Sequence, residues 1–187
     1  MAFVVLLDAN VLYPAPLRDL LVTLSTTGMY AAKWTDHIHD EWTRNLIAKR
    51  PELVVPVERT RQLMNEKVPD SLVTGYESII DGLELPDPDD RHVLAAAIRC
   101  SAQIIVTFNL KDFPQEKLDQ YGIEAMHPDE FIDYQFCLKP GLVIRAAKMQ
   151  RSRLKNPEKS PQEFLDTLTS QGLVVTAQKL SEFEDLI

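Results

Sequence analysis

The chain has 187 residues, of which 45% are apolar and 26% charged, and a formal net charge of -8. These values exclude a disordered, fibrous or repeat-only chain and leave room for one compact domain with an appendage, not two full-sized domains with separate cores. The longest apolar runs, such as Val93 to Ile98, fall far short of a bilayer span, and no basic segment precedes the opening apolar stretch, so a cytoplasmic protein that does not cross a membrane is expected.

Phe3 to Leu7 is continuously apolar and rich in β-formers, and a turn-prone Asp-Ala-Asn follows, which predicts a buried parallel strand ending at Asp8. Leu17, Leu20, Leu21 and Leu24 share one helix face, and Gly28 is placed to end that helix. A short strand is expected at Tyr30 to Trp34. Thr35 or Asp36 can cap the next helix, whose inner stripe is Ile38, Trp42 and Leu46, with Glu41 on its flank. Pro51 and Pro56 punctuate the chain before a helix around Glu58 to Lys67, and Pro69 closes it.

In the second half, Pro86 and Pro88 mark a loop, and Asp89 or Asp90 can cap a helix from Arg91 to about Ser101. A buried strand at Gln103 to Thr107 follows. A third short strand at Ile123 to Met126 and a helix from Pro128 to Gln135 complete the body. Alternating strands and helices predict an α/β sandwich around a mostly parallel sheet, over residues 1–135. Residues 136–187 read as a helical extension: Ser160-Pro161-Gln162-Glu163 is a capping box, Phe164, Leu165 and Leu168 supply an apolar face, and Gly172 fits the stop.

Charge divides along the same line. Residues 1–134 carry 12 basic against 22 acidic side chains, whereas 135–187 carry 8 against 6. Arg145, Lys148, Arg151, Arg153 and Lys155 occur with no acid between them, forming a local basic patch that is either an RNA-contacting surface or a solvated helix face. Cys100 and Cys137 stand far apart, which excludes a thiolate zinc site and leaves packing as their role.

Six scattered glycines rule out the dinucleotide and Walker phosphate loops, and no GxSxG is present. His37 and His39 are two apart, His92 and His127 are isolated, and all four read as surface or helix-end residues. What remains is acidic. Asp8 and Asp112 each follow a strand, and Asp90 opens a helix after a loop. The crevice outside the carboxyl ends of parallel strands is where such folds bind ligands. Carboxylates that converge there repel one another unless divalent cations neutralise them, and an all-oxygen donor set points to Mg²⁺ or Mn²⁺. Taken singly, Asp8 reads as an Asx turn holding Asn10, Asp90 as a helix cap, Glu41 as a partner for Arg44, and Asp112 as a loop acid. The functional case rests on the set.

The ordered set Asp8-Ala-Asn10-Val-Leu after a strand, Glu41 on an early helix, Asp87-Pro-Asp-Asp90-Arg-His-Val-Leu-Ala-Ala-Ala, and Thr107-Phe-Asn109-Leu-Lys-Asp112-Phe resembles the motifs of PIN-domain ribonucleases. It is closest to the toxins of VapBC-type toxin–antitoxin systems. The resemblance covers roughly Ala2 to Tyr134, and the tail from about 136 resembles a helical extension found in some of these toxins. It implies a three-layer α/β/α PIN-like sandwich with Asp8, Glu41, Asp90 and Asp112 as metal-binding carboxylates and with Thr107 and Asn109 in support. It also implies a Mg²⁺- or Mn²⁺-dependent endoribonuclease leaving 5′-phosphate and 3′-hydroxyl ends, a homodimer, and a small antitoxin partner. Asp87 and Asp89 stand beside Asp90, and Asn109 stands where some relatives carry an acid, so the third and fourth ligands could be shifted. Two other readings remain: a PIN-like module that binds RNA or protein without cutting, and a fainter likeness to haloacid-dehalogenase phosphatases. The latter require an acid where Asn10 stands and paired aspartates after a later strand, which the sequence lacks.

Overall fold

The computed structural model describes residues 3–187. Strand β1 (Phe3–Leu7) runs into helix α1 (Ala9–Leu12), and α2 (Ala15–Thr26) leads back to β2 (Tyr30–Lys33). Gly28, at φ +78°, makes the left-handed turn that ends α2. Helix α3 (Asp36–Lys49) starts at Thr35, whose hydroxyl accepts from the Ile38 N–H. Then come α4 (Val54–Lys67), the short α5 (Glu77–Ile80), α6 (Arg91–Arg99), β3 (Ile104–Val106), the short α7 (Gln115–Leu118) and β4 (Glu124–Met126). The tail continues with α8 (Pro128–Leu138), α9 (Pro140–Arg153), α10 (Pro161–Ser170) and α11 (Val174–Ser181).

All four strands are parallel, in the order β2-β1-β3-β4, so every carboxyl end lies on one edge. The register Leu7↔Val106 sets Asp8 beside Thr107 as each strand stops. Helix α6 packs on β1 and β3, and α2 packs with β2, α9 and α10. The central strands are buried on both faces: Val5, Leu6, Leu7, Ile105 and Val106 are all buried, and each such side chain contributes roughly 1.5–3 kcal/mol relative to exposure.

One expectation needs correction. Helix α4 begins at Val54, four residues before the expected start, and Pro56 lies within its first turn, where a missing N–H breaks no helical bond. Helix α8 joins the sheet-bearing part to the tail, and its Phe131 packs edge-on against Tyr30 with ring centroids 4.9 Å apart. Buried tail residues including Val143, Ala147, Phe164, Leu168 and Leu180 belong to the same apolar cluster as the sheet. The tail shares the body's core.

The tail's polar contacts fix its helices in place. Ser160 and Glu163 form the expected capping box on α10. Buried Asp129 caps α11, accepting from the Val175 and Thr176 N–H groups at 2.9 Å each. Gln150 donates to the Pro16 carbonyl at 2.7 Å, and Arg151 donates to the carbonyls of Lys159 and Ile187 at 2.8 and 2.9 Å. No helix among the described residues is long and apolar enough to cross a membrane.

Candidate metal centre

The carboxyl edge of the sheet is organised around Asp8. Its N–H extends the ladder to the Val106 carbonyl at 3.1 Å, and the residue is 4% exposed. One oxygen accepts from the Ala9 N–H at 2.6 Å; the other accepts from Asn10 Nδ2 and Thr107 Oγ1, both at 2.7 Å. Asn10 ties the strands together, donating to Thr107 Oγ1 at 2.9 Å and accepting from the Phe108 N–H at 3.1 Å. Thr107 in turn accepts from the Asn109 N–H at 3.0 Å. Asp8 does make the local turn expected of it singly, but burial pushes its pKa up, and the bonds from Thr107 and Ala9 offset only part of that.

A cavity of about 190 Å³ opens beside Asp8 and is lined also by Glu41, Asp90, Asn10 and Asn109. Asp90 occupies the capping position of α6, yet its side chain makes no cap bond. The local capping falls to Asp87, which accepts from the Asp89 N–H at 2.9 Å, and neither Asp87 nor Asp89 lines the cavity. Asp112 is half-buried at the end of a 3-10 turn after β3, outside the cavity wall, and its charge still acts on Asp90. Burial, then repulsion from Asp8, Asp87, Asp112 and Glu41, pushes the Asp90 pKa up to about 7. An acid held against acids in this way is a donor set that fits a hard divalent cation, with Asp8, Asp90 and Glu41 at the cavity and Asp112 beside it.

Glu41 corrects a reading drawn from spacing. It does not pair with Arg44; it meets His92 Nε2 at 3.3 Å and lies 4.0 Å from His37 Nε2. His92 is 3% exposed, so it is no surface residue. Burial and the neighbouring His92 lower the His37 pKa. Sequence reasoning missed this pair: the His37–Glu41 spacing of one helical turn was visible, but nothing local links either residue to His92. Arg44, Asn45, Tyr13 and Trp42 also line the cavity, adding one cation and two aromatic rings to its wall. Arg18 braces the site from below, donating to the Leu12 and Tyr13 carbonyls and stacking 4.6 Å over the Trp42 ring.

A larger cavity of about 450 Å³, lined by apolar residues such as Val22, Leu63, Met64 and Phe164 together with the cations Arg18, Lys67 and Lys159, has Asp19 as its one acid. Chemistry, not size, singles out the smaller one. The basic stretch divides. Arg145 and Lys148 are exposed on α9, opposite its buried Val143, Ala146 and Ala147. Arg151 is committed to the two carbonyls above, Arg153 lies 3.8 Å from Asp19, and Lys155 lies 3.7 Å from Glu158.

The family model described as PIN domain matches residues 4–111, more than half of the chain. The chain belongs to the PIN-domain family. A second model, the VapC50 C-terminal domain, matches residues 128–182, so this PIN domain is of the VapC type with a helical C-terminal extension. The protein named "Putative ribonuclease VapC50" of Mycobacterium tuberculosis (strain ATCC 25618 / H37Rv) is 38% identical over 97 residues, 52% of this chain and 57% of that relative. The chain thus matches little more than half the length of that curated relative. No solved structure matches.

Proposed function

We propose that this PIN domain is a metal-dependent endoribonuclease, the toxin of a toxin–antitoxin pair. It hydrolyses RNA phosphodiester bonds to leave 5′-phosphate and 3′-hydroxyl ends. The observation that carries this reading is Asp90: a carboxylate at a helix start that makes no cap bond and lines one cavity with Asp8 and Glu41, under the charge of Asp112 as well. Such an arrangement stabilises nothing by itself and suits a site that gathers positive charge.

In this reading Asp8, Asp90 and Asp112 would hold Mg²⁺ or Mn²⁺, with Glu41 completing the acidic set. A bound divalent ion supplies the charge that stabilises a scissile phosphate and lowers the pKa of an attacking water. Thr107 and Asn10 hold Asp8 in one rotamer, and Asn109 faces the cavity where a phosphate or ribose would lie. Arg44 in the cavity wall offers a phosphate contact. The body is acidic and repels RNA, so affinity needs cations elsewhere, and exposed Arg145 and Lys148 are the part of the basic stretch free to supply it. The relative's name agrees with a ribonuclease, and the resemblance to VapBC toxins is what supports a small antitoxin partner, a homodimer and a cytoplasmic setting.

The test is incubation of purified protein with mixed cellular RNA in Mg²⁺, Mn²⁺ or EDTA, with the ends mapped. Metal-dependent cuts bearing 5′-phosphates, lost about a thousandfold in Asp8→Asn and Asp90→Asn, are expected. A folded protein that binds RNA and cuts none, or variants that cut as well as the parent, would instead make this a binding module.

A further inference from the structure

The carboxylate centre has an unlike neighbour. His37 precedes Glu41 by one turn of α3 and so shares its face, while His92 reaches the same carboxylate oxygen from α6. The two imidazoles stack with centroids 3.8 Å apart and planes 23° from parallel. One oxygen of Glu41 and one ring nitrogen from each histidine all lie within 4.8 Å of one another.

A hydrogen-bonded His–Glu pair accounts for only part of this. A single N–H from His92 satisfies Glu41 at 3.3 Å and leaves His37 Nε2 at 4.0 Å, too far for a hydrogen bond, with no other protein partner among the described residues. Ligand atoms bound at about 2.0–2.1 Å around a tetrahedral ion are separated by roughly 3.3 Å. The His92–Glu41 distance already has that value, and the His37 side chain is 50% exposed, so its ring can turn out of the stack with His92 to aim a nitrogen at the same ion and close the remaining gap. Two imidazoles and one carboxylate favour a borderline transition ion over Mg²⁺, and three protein ligands leave a fourth position open.

We propose that His37, Glu41 and His92 form a second cation site, selective for a transition ion of the Zn²⁺ or Co²⁺ kind, that shares Glu41 with the carboxylate centre. The two sites differ in hardness: oxygen donors on the Asp8 and Asp90 side, nitrogen donors on the histidine side. The second site does not depend on the nuclease reading, because binding alone defines it.

Calorimetric titration of the full chain with Zn²⁺, repeated with Co²⁺ and followed by its visible absorption, tests this in the parent, His37→Gln, His92→Gln and Asp8→Asn. Saturable binding that weakens by about tenfold or more in each histidine variant, and persists in Asp8→Asn, is the expected result. His37→Gln alters an exposed side chain, so its result stands even if His92→Gln fails to fold. Absence of binding, equal binding in His37→Gln, or loss in Asp8→Asn would overturn the proposal; the last would place the ion on the carboxylates alone.

Discussion

In the tail, Asp129 sits buried in the first turn of α8 and spends both carboxylate oxygens on the N–H groups that open α11. At the carboxyl edge of the sheet, Asp90 stands at the N-cap of α6 and caps nothing; it shares a cavity with Asp8 and Glu41, and the charges of Asp8, Asp87, Asp112 and Glu41 act on it. The tail's Arg151 likewise holds two carbonyls, whereas Arg44 lines the acidic cavity. Polar side chains whose bonds are consumed by their own chain hold a fold together. Carboxylates kept close at an energetic cost are what a ligand site requires, and the contrast separates scaffold from site within one core.

The contrast can be broken at its structural end first. If the tail is scaffold, Phe164→Ala, which empties a fully buried position in the shared core, should cost about 3–5 kcal/mol in a urea melt read for the whole chain. A tail that unfolds in a separate transition while the sheet stays intact would instead make it an independent unit.

A second test concerns His39, fully buried on α3, which bonds Asn65 and accepts from Trp42 Nε1 at 3.0 Å. Burial lowers its pKa from 6.5 to about 4, so the unfolded chain takes up a proton that the native chain refuses. That contribution is present above pH 6.5 and is lost as pH falls through about 4, up to roughly 3 kcal/mol. Thermal melts from pH 7 to pH 4.5 should steepen accordingly, and His39→Gln should flatten the slope.

The smallest effect sharpens the division within the basic stretch. Replacing both Arg145 and Lys148 by Ala should leave the melting temperature unchanged and weaken RNA binding, with the log–log salt slope shallower by about 1.4 on single strands. Arg151→Ala should do the reverse, lowering stability by about 1–3 kcal/mol through two orphaned carbonyls.

Much of this was legible in the sequence. The apolar run of β1, the leucine stripe of α2, Thr35 at the head of α3 and the Ser160–Glu163 box are local patterns, and local patterns survive folding. Pro56 misled because a proline breaks a helix only beyond its first turn. Taken singly, Glu41 points to Arg44, because helical spacing reports neighbours on one element and is silent about His92, 51 residues on. Arg151 belonged in composition to a basic patch, and only the packed tail could turn it inward. The meeting of Asp8 and Thr107 could be read because parallel strands must end on one edge, which places residues from distant segments together.

The central claim is that Asp8 and Asp90 gather a hard divalent cation, and the most direct measurement is calorimetric titration of RNA-free protein with Mg²⁺ at pH 8, beside Asp8→Asn and Asp90→Asn. The account predicts saturable binding in the parent, a rise in melting temperature on adding Mg²⁺, and loss of both in either variant. A parent that binds no Mg²⁺, or variants that bind it equally well, would contradict it.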